Sequence, residues 1–289
     1  MDKRYFLESG LTPLIHEHRH SHFANKTLKF LGDDEESTFL ENLRKNPDDP
    51  SLNTYLKNPI KYVHNNLGFR SYEDYSRRDR GSIFLGCSHT FGDSLYLEDT
   101  WSYKVSKEVG GKFLNLGVPG TAMETGARLL LTYLDYFKTE NVFVYYPHVY
   151  RYEFFTDGND KIGRNWITVL PHIHDPEKNW DGVNQRLKRS LLQEDVAISR
   201  YISFFYSIIG ICNSRNIPVY FINFKKDHKK RDITSRKARD LAHYNVSTHD
   251  YLAKDALRKL NLGNPPSIVD TSIEYSHILR DLHNKHKLL

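Results

Sequence analysis

Four short apolar runs, at residues 83–85, 112–116, 141–146 and 217–224, punctuate the middle of the chain, and the stretches between them carry helical spacing. That alternation constrains the fold more than any other feature. Strands separated by a helix-length crossover pair in parallel, and a parallel sheet needs helices over both faces. The helical spacing is explicit: Trp101, Val105 and Val109 share a face of a helix beginning near Thr100, and Met123, Ala127, Leu130, Leu134 and Phe137 recur at steps of four and three. A third helix is expected over residues 191–213. The fold class read from this pattern is α/β with a parallel sheet.

The flanks differ from this core. Residues 1–80 read as an N-terminal appendage broken by Pro13, Pro50 and Pro59, with helices over 35–44 and 51–57 and an edge strand within 59–70. The α/β domain covers 81–260 and is interrupted at 150–189 by an insertion, with a strand over 166–170, read as a lid that shapes a pocket. A last helix is expected over 246–260, with Ser247 and Asp250 at capping-box spacing. Residues 261–289 read as a helical tail.

Composition narrows the function classes. Among 289 residues, 41 Lys and Arg against 36 Asp and Glu give a net charge of +5, too mild and too interspersed for a dedicated nucleic-acid binder but compatible with an anionic substrate. Two cysteines, Cys87 and Cys212, make no disulfide framework. The N-terminus lacks an apolar signal core, so the expected location at synthesis is cytoplasmic. The most apolar segment, 196–212, is short for a membrane span, contains Arg200 and is expected to be a buried helix. His16, His18, His20 and His22 alternate and could turn four imidazoles to one side, but no carboxylate or cysteine completes a ligand set. A solvated loop is the preferred reading, and no metal site is assigned.

The chemistry centres on Ser88. It follows Ile83-Phe84-Leu85-Gly86-Cys87, at the carboxyl end of a predicted strand, where reacting groups of open α/β sheets collect. A serine hydroxyl needs a base, a partner that orients the base, and donors for the developing oxyanion. Asp240 and His243 supply the first two: a spacing of three lets the carboxylate hold Nδ1–H and leaves Nε2 for Ser88.

Taken in order, Gly86-Cys-Ser-His-Thr-Phe-Gly92, Asn115-Leu-Gly-Val-Pro-Gly120 and Asp240-x-x-His243 before a terminal helix resemble the SGNH hydrolases, also called the GDSL lipase/esterase family, over about residues 82–260. The resemblance implies a three-layer α/β/α, flavodoxin-like fold and ester hydrolysis through an acyl-enzyme. Ser88 would be the nucleophile, His243 the base and Asp240 its partner, with the N–H groups of Ser88 and Gly120 in the oxyanion hole. Cys87 stands where the family has Asp. His148 stands where it has an Asn donor, so either the His148 ring donates or the hole rests on two backbone groups.

Three look-alikes are set aside. Gly92-Asp-Ser94-Leu95 spells the family's name but follows no strand, Gly158-Asn-Asp160 falls within the insertion, and Asp281-Leu-His283 lies in the tail. The basic loop 225–239 offers counter-charge to an anionic substrate, against the plainer reading of a solvated loop. Two functions remain: a cofactor-free serine esterase acting on O-acyl groups of a carbohydrate or another small ester, and a catalytically weak protein of the same fold mounted on a larger assembly. Oligomeric state is not readable.

Overall fold

A computed structural model describes residues 17–32, 34–155, 166–169, 193–222 and 236–261. In chain order the strands are β1 (Thr27–Leu28), β2 (Tyr62–Val63), β3 (Arg80–Leu85), β4 (Lys112–Asn115), β5 (Lys138–Tyr145), β6 (Tyr152–Phe155), β7 (Trp166–Val169) and β8 (Val219–Ile222). The α-helices are α1 (Glu36–Lys45), α2 (Pro50–Lys57), α3 (Ser88–Phe91), α4 (Trp101–Val109), α5 (Met123–Tyr133), α6 (Glu194–Asn213) and α7 (Val246–Asn261).

β3, β4, β5 and β8 form one parallel sheet in the order β4-β3-β5-β8. The first strand of this sheet thus lies inside it, with successive crossovers leaving to opposite sides. Side chains alternate across the sheet as the pleat requires. Ile83, Leu85, Val142, Val144 and Phe221 pack with Ala127, Leu130, Phe205 and Ile208 of α5 and α6. Phe84, Phe143 and Tyr220 face the other way, against Trp101, Val105, Leu252 and Ala256 of α4 and α7. Those three rings stack across adjacent strands, with centroids 5.2 Å apart at each step. The molecule is therefore a mixed α/β protein, a parallel sheet flanked by helices on both faces.

Local signals explain most boundaries. Thr100 caps α4 by accepting from Tyr103 N–H at 3.3 Å, and Gly110 at φ +76° ends it. Asp49 caps α2, ahead of Pro50 at the first helical position. At α7 the expected capping box is not formed. Asn245 Oδ1 accepts from Thr248 N–H at 3.1 Å, which starts the helix before Ser247 and leaves Ser247 and Asp250 inside it. Helix α6 is long and apolar enough to cross a membrane, and the expectation of a buried helix is met on one face only. About a third of its apolar stretch is buried, where Phe205, Ile208, Ile209 and Cys212 pack in the core shared with α5, while Val196, Ser207 and Gly210 are exposed.

One expectation about strands is corrected and another is met with a partner added. The edge strand sought in 59–70 is the two-residue β2, which pairs antiparallel with β1 and does not extend the main sheet. The strand near 166 has a partner that the sequence reading overlooked: β7 pairs antiparallel with β6. The rest of the proposed lid, 156–165 and 170–189, lies outside the described residues, as does the tail from residue 262 onward.

The N-terminal region is tied to the segment before α7. Arg239 donates from Nε to Asp34 Oδ1 at 2.9 Å and from Nη2 to Asp34 Oδ2 at 2.5 Å, with both side chains 1% exposed. Tyr62 hydroxyl donates to the same carboxylate. Tyr55 hydroxyl donates to Lys237 O at 2.8 Å, and Asn42 Nδ2 donates to Asp240 O at 3.2 Å. Buried Arg70 reaches the turn after α3, donating to the carbonyls of Phe91, Gly92 and Leu95.

Candidate active site

The turn that carries Ser88 is built by close packing around a glycine. Gly86 leaves β3 at φ +148°, and a Cβ there would stand 2.3 Å from Thr90 Oγ1 and 3.1 Å from Tyr145 O. Cys87 then opens the single-turn helix α3, whose first residue is Ser88, and Gly92 ends it in the left-handed region at φ +87°. The loop from β4 to α5 lies alongside: Gly86 O accepts from Val118 N–H at 3.1 Å and from Thr121 Oγ1 at 3.3 Å. A Cβ on Gly117 would sit 2.8 Å from Phe91 N, so only glycine lets the two loops approach this closely. Gly120, at φ +74°, belongs to the same loop. Among the described residues neither Ser88 N–H nor Gly120 N–H donates to another backbone group.

Asp240 and His243 form a tight unit. Leu241 takes a left-handed φ of +58°, which folds the following two N–H groups back on Asp240 Oδ1, at 3.0 Å from Ala242 and 3.1 Å from His243. His243 Nδ1 lies 2.5 Å from Asp240 Oδ2. Burial acts to raise the Asp240 carboxyl, but the His243 ring and the two N–H groups outweigh it and hold it below the usual aspartate value. The contact orients His243 with Nδ1–H toward Asp240 and turns Nε2 away from it.

His89 links this unit to the serine turn. Its ring stacks on Tyr244 at 4.1 Å and 14°, and stands 5.5 Å from the His243 ring. Burial, then the neighbouring His243, His249 and Arg151, push its pKa well below the ordinary histidine value, so it is neutral at physiological pH. His249 is likewise neutral, lowered to about 3 by burial, and its Nδ1 accepts from Trp101 N–H at 3.1 Å.

The proposed residues are brought together unevenly. Ser88, 6% exposed, shares the carboxyl edge of the sheet with Gly120 and is joined to His243 through its neighbour His89. Among the described residues no hydrogen bond joins Ser88 Oγ to His243 directly. His243 Nε2 instead lies 3.9 Å from the buried carboxylate of Asp93, a residue that the sequence reading had passed over with the Gly92-Asp-Ser94 look-alike. Ser94 itself is fully buried in a turn at φ +61°, where its N–H donates to Tyr62 Oη.

His148 is not brought to the serine. It is exposed on the turn after β5, with Nδ1 accepting from Tyr150 N–H at 3.4 Å, and no hydrogen bond joins it to Ser88 or Gly120 among the described residues. The look-alikes at 158–160 and 281–283 lie outside the described residues.

The basic loop is described from Arg236 onward, and there its charges meet carboxylates of the protein. Arg236 pairs with Asp99, Lys237 with Asp49 at 2.7 Å and Arg239 with Asp34. Of the alternating histidines, His18 stacks on Phe69 at 4.1 Å and His20 is buried against Phe91 and His64, which corrects the picture of a solvated loop; His16 lies outside the described residues. Among the described residues no group of three His, Cys, Asp or Glu side chains could hold a metal ion.

Against known proteins, no family model matches the chain, and no curated protein matches it either.

Proposed function

We propose that the protein is a serine ester hydrolase of the SGNH type, acting through an acyl-enzyme on O-acyl groups, such as acetyl groups, of a carbohydrate or another small ester. The observation that carries this reading is the 2.5 Å contact of Asp240 with His243 Nδ1, at the sheet edge where Ser88 leaves its strand. The strand order supports the flavodoxin-like form of the fold: numbered by chain position within the main sheet it is 2-1-3-4, and Ser88 leaves the first strand at the point where the crossovers change side.

The chemistry follows from these groups. Ser88 Oγ attacks the acyl carbon while His243 Nε2 takes its proton, and the N–H groups of Ser88 and Gly120 meet the negative charge on the carbonyl oxygen. Collapse of the tetrahedral species breaks the bond to the alcohol, which leaves with the proton from His243. Water then repeats the sequence on the acyl-enzyme and frees the acid. Asp240 stays ionised throughout and holds the imidazole. A serine–histidine bond that is open in a ligand-free enzyme closes as substrate orders the site.

Ser88→Ala is expected to abolish turnover of 4-nitrophenyl acetate with an unchanged melting temperature, and Asp240→Asn to lower kcat by about 10⁴-fold. Full activity in Ser88→Ala would remove the serine from the mechanism. The second reading, a binding protein that keeps the fold, draws on the Asp93 carboxylate near Nε2 and the absence of a direct Ser88–His243 bond among the described residues. A fluorophosphonate probe separates the two: label mapped to Ser88 favours the hydrolase, and a folded protein that takes no label favours binding.

A further inference from the structure

We propose that Arg151 is the receptor for a carboxylate carried by the substrate, so that the ester cleaved is one with an acidic group close to the scissile bond. This rests on the esterase reading of Ser88 and names the substrate class for that site.

The backbone of Arg151 is pinned on both sides. Its N–H donates to His148 O at 3.1 Å, and its own carbonyl accepts from Arg200 Nη2 at 2.6 Å. The side chain is not matched in the same way. Nη1 makes one long approach to Thr121 O at 3.5 Å, Nε is buried without a hydrogen-bond partner, and among the described residues no carboxylate lies within ion-pairing distance. Arg200 and Arg236 also bury an Nε without a partner, so the difference lies in the carboxylate: Arg128 pairs with Glu153, Arg200 with Glu124, Arg236 with Asp99 and Arg239 with Asp34. Arg70, which makes no ion pair among the described residues, donates to three backbone carbonyls. Arg151 is half-buried, and a guanidinium whose Nε is shielded from water gains from any anion that meets it.

Its position says what that is. Thr121 follows Gly120, and its hydroxyl donates to Gly86 O in the serine turn, so the guanidinium lies over the loop that would hold the oxyanion. A second guanidinium borders the same loop, since a Cβ on Gly120 would stand 2.9 Å from Arg19 Nη1. Gly86, Thr121, Tyr145 and Pro147 also line a small, mostly apolar cavity beside this loop, which neither Ser88 nor Arg151 lines. The planar fork of arginine matches a carboxylate through two parallel N–H···O bonds. The charge expected from the 225–239 loop is, in its described part, already spent on Asp99, Asp49 and Asp34.

The test compares mono-4-nitrophenyl succinate with 4-nitrophenyl butyrate on the full chain, and measures succinate binding by calorimetry. Wild type is expected to prefer the succinate ester. Arg151→Met should lose about 30-fold in kcat/KM on that ester, mostly through KM, with a smaller loss on butyrate, and Arg151→Lys should recover part of it. Succinate should bind Ser88→Ala and fail to bind Ser88→Ala/Arg151→Met, with folding of each variant checked by its melting curve. If neither ester is hydrolysed yet that binding difference holds, the esterase reading falls and the carboxylate site stands. Equal losses on both esters, no preference in wild type, or succinate binding indifferent to Arg151 would each overturn the proposal.

Discussion

At Gly86 a missing side chain decides where a hydroxyl can be. The backbone conformation is one that L side chains rarely adopt, and the space for a Cβ is filled by Thr90 Oγ1 and closed by Tyr145 O. Gly86→Ala is therefore expected to cost about 1–3 kcal/mol of stability and to impair turnover, although it removes no reacting group. Urea midpoints and the ester assay check this together; wild-type values in both would mean that the turn does not hold Ser88 in place. The same packing shows what could be read at the level of single residues. Ser88, Asp240 and His243 were legible because the chemistry ties residue type to spacing and to strand ends. Arg151 was not, since an arginine without a carboxylate among the described residues looks in a sequence like any other arginine, and the lack of an ion pair becomes visible only once those carboxylates are placed.

Strands and helices were legible where periodicity was strong: β3, α4 and α5 begin within a few residues of the expected positions, because Phe84, Trp101 and Leu130 face packed neighbours. β6 escaped because Tyr-Glu-Phe-Phe is too short to show a period of two. The α7 cap was misplaced by two residues, because Asn245 competes with Ser247 for the same role and takes it through Thr248 N–H. The larger omission was the service that the N-terminal segment performs. Asp34 grips Arg239 immediately before Asp240, and Tyr55, Ser51 and Asn42 hold the residues around it. Ion pairs between remote segments leave no local pattern. Arg239→Ala strands the buried Asp34 carboxylate and is expected to cost about 3–5 kcal/mol, and to lower turnover through Asp240 under conditions where the protein is still folded. Denaturation curves and kcat for the variant measure the two effects; a loss of stability with wild-type kcat would show that the clamp supports the fold but not the site.

The whole molecule carries a set of buried histidines that sets its behaviour in acid. His20, His64, His89 and His249 are all pushed down, burial being the largest cause in each, with His64 at about 4 and His249 at about 3. In the unfolded chain these groups take up protons below about pH 6.5, while the folded protein resists, so stability is full above that value and falls as the pH drops. Each resisting histidine removes up to about 1.4 kcal/mol per pH unit until its folded pKa is reached. Asp240, with its lowered carboxyl, adds to the loss only further into acid. Urea midpoints at pH 7.5, 6 and 5 should decline steadily; a flat profile would mean that these imidazoles are protonated in the native state. The clamp between Asp34 and Arg239 spans 205 residues of sequence. Closing so long a loop is slow, and the Arg239 side of it leaves the ribosome long after the Asp34 side. A growing chain can therefore build the β3 turn with Ser88 well before it has Asp240 and His243 to set beside it, so the serine passes the early part of its existence without its base.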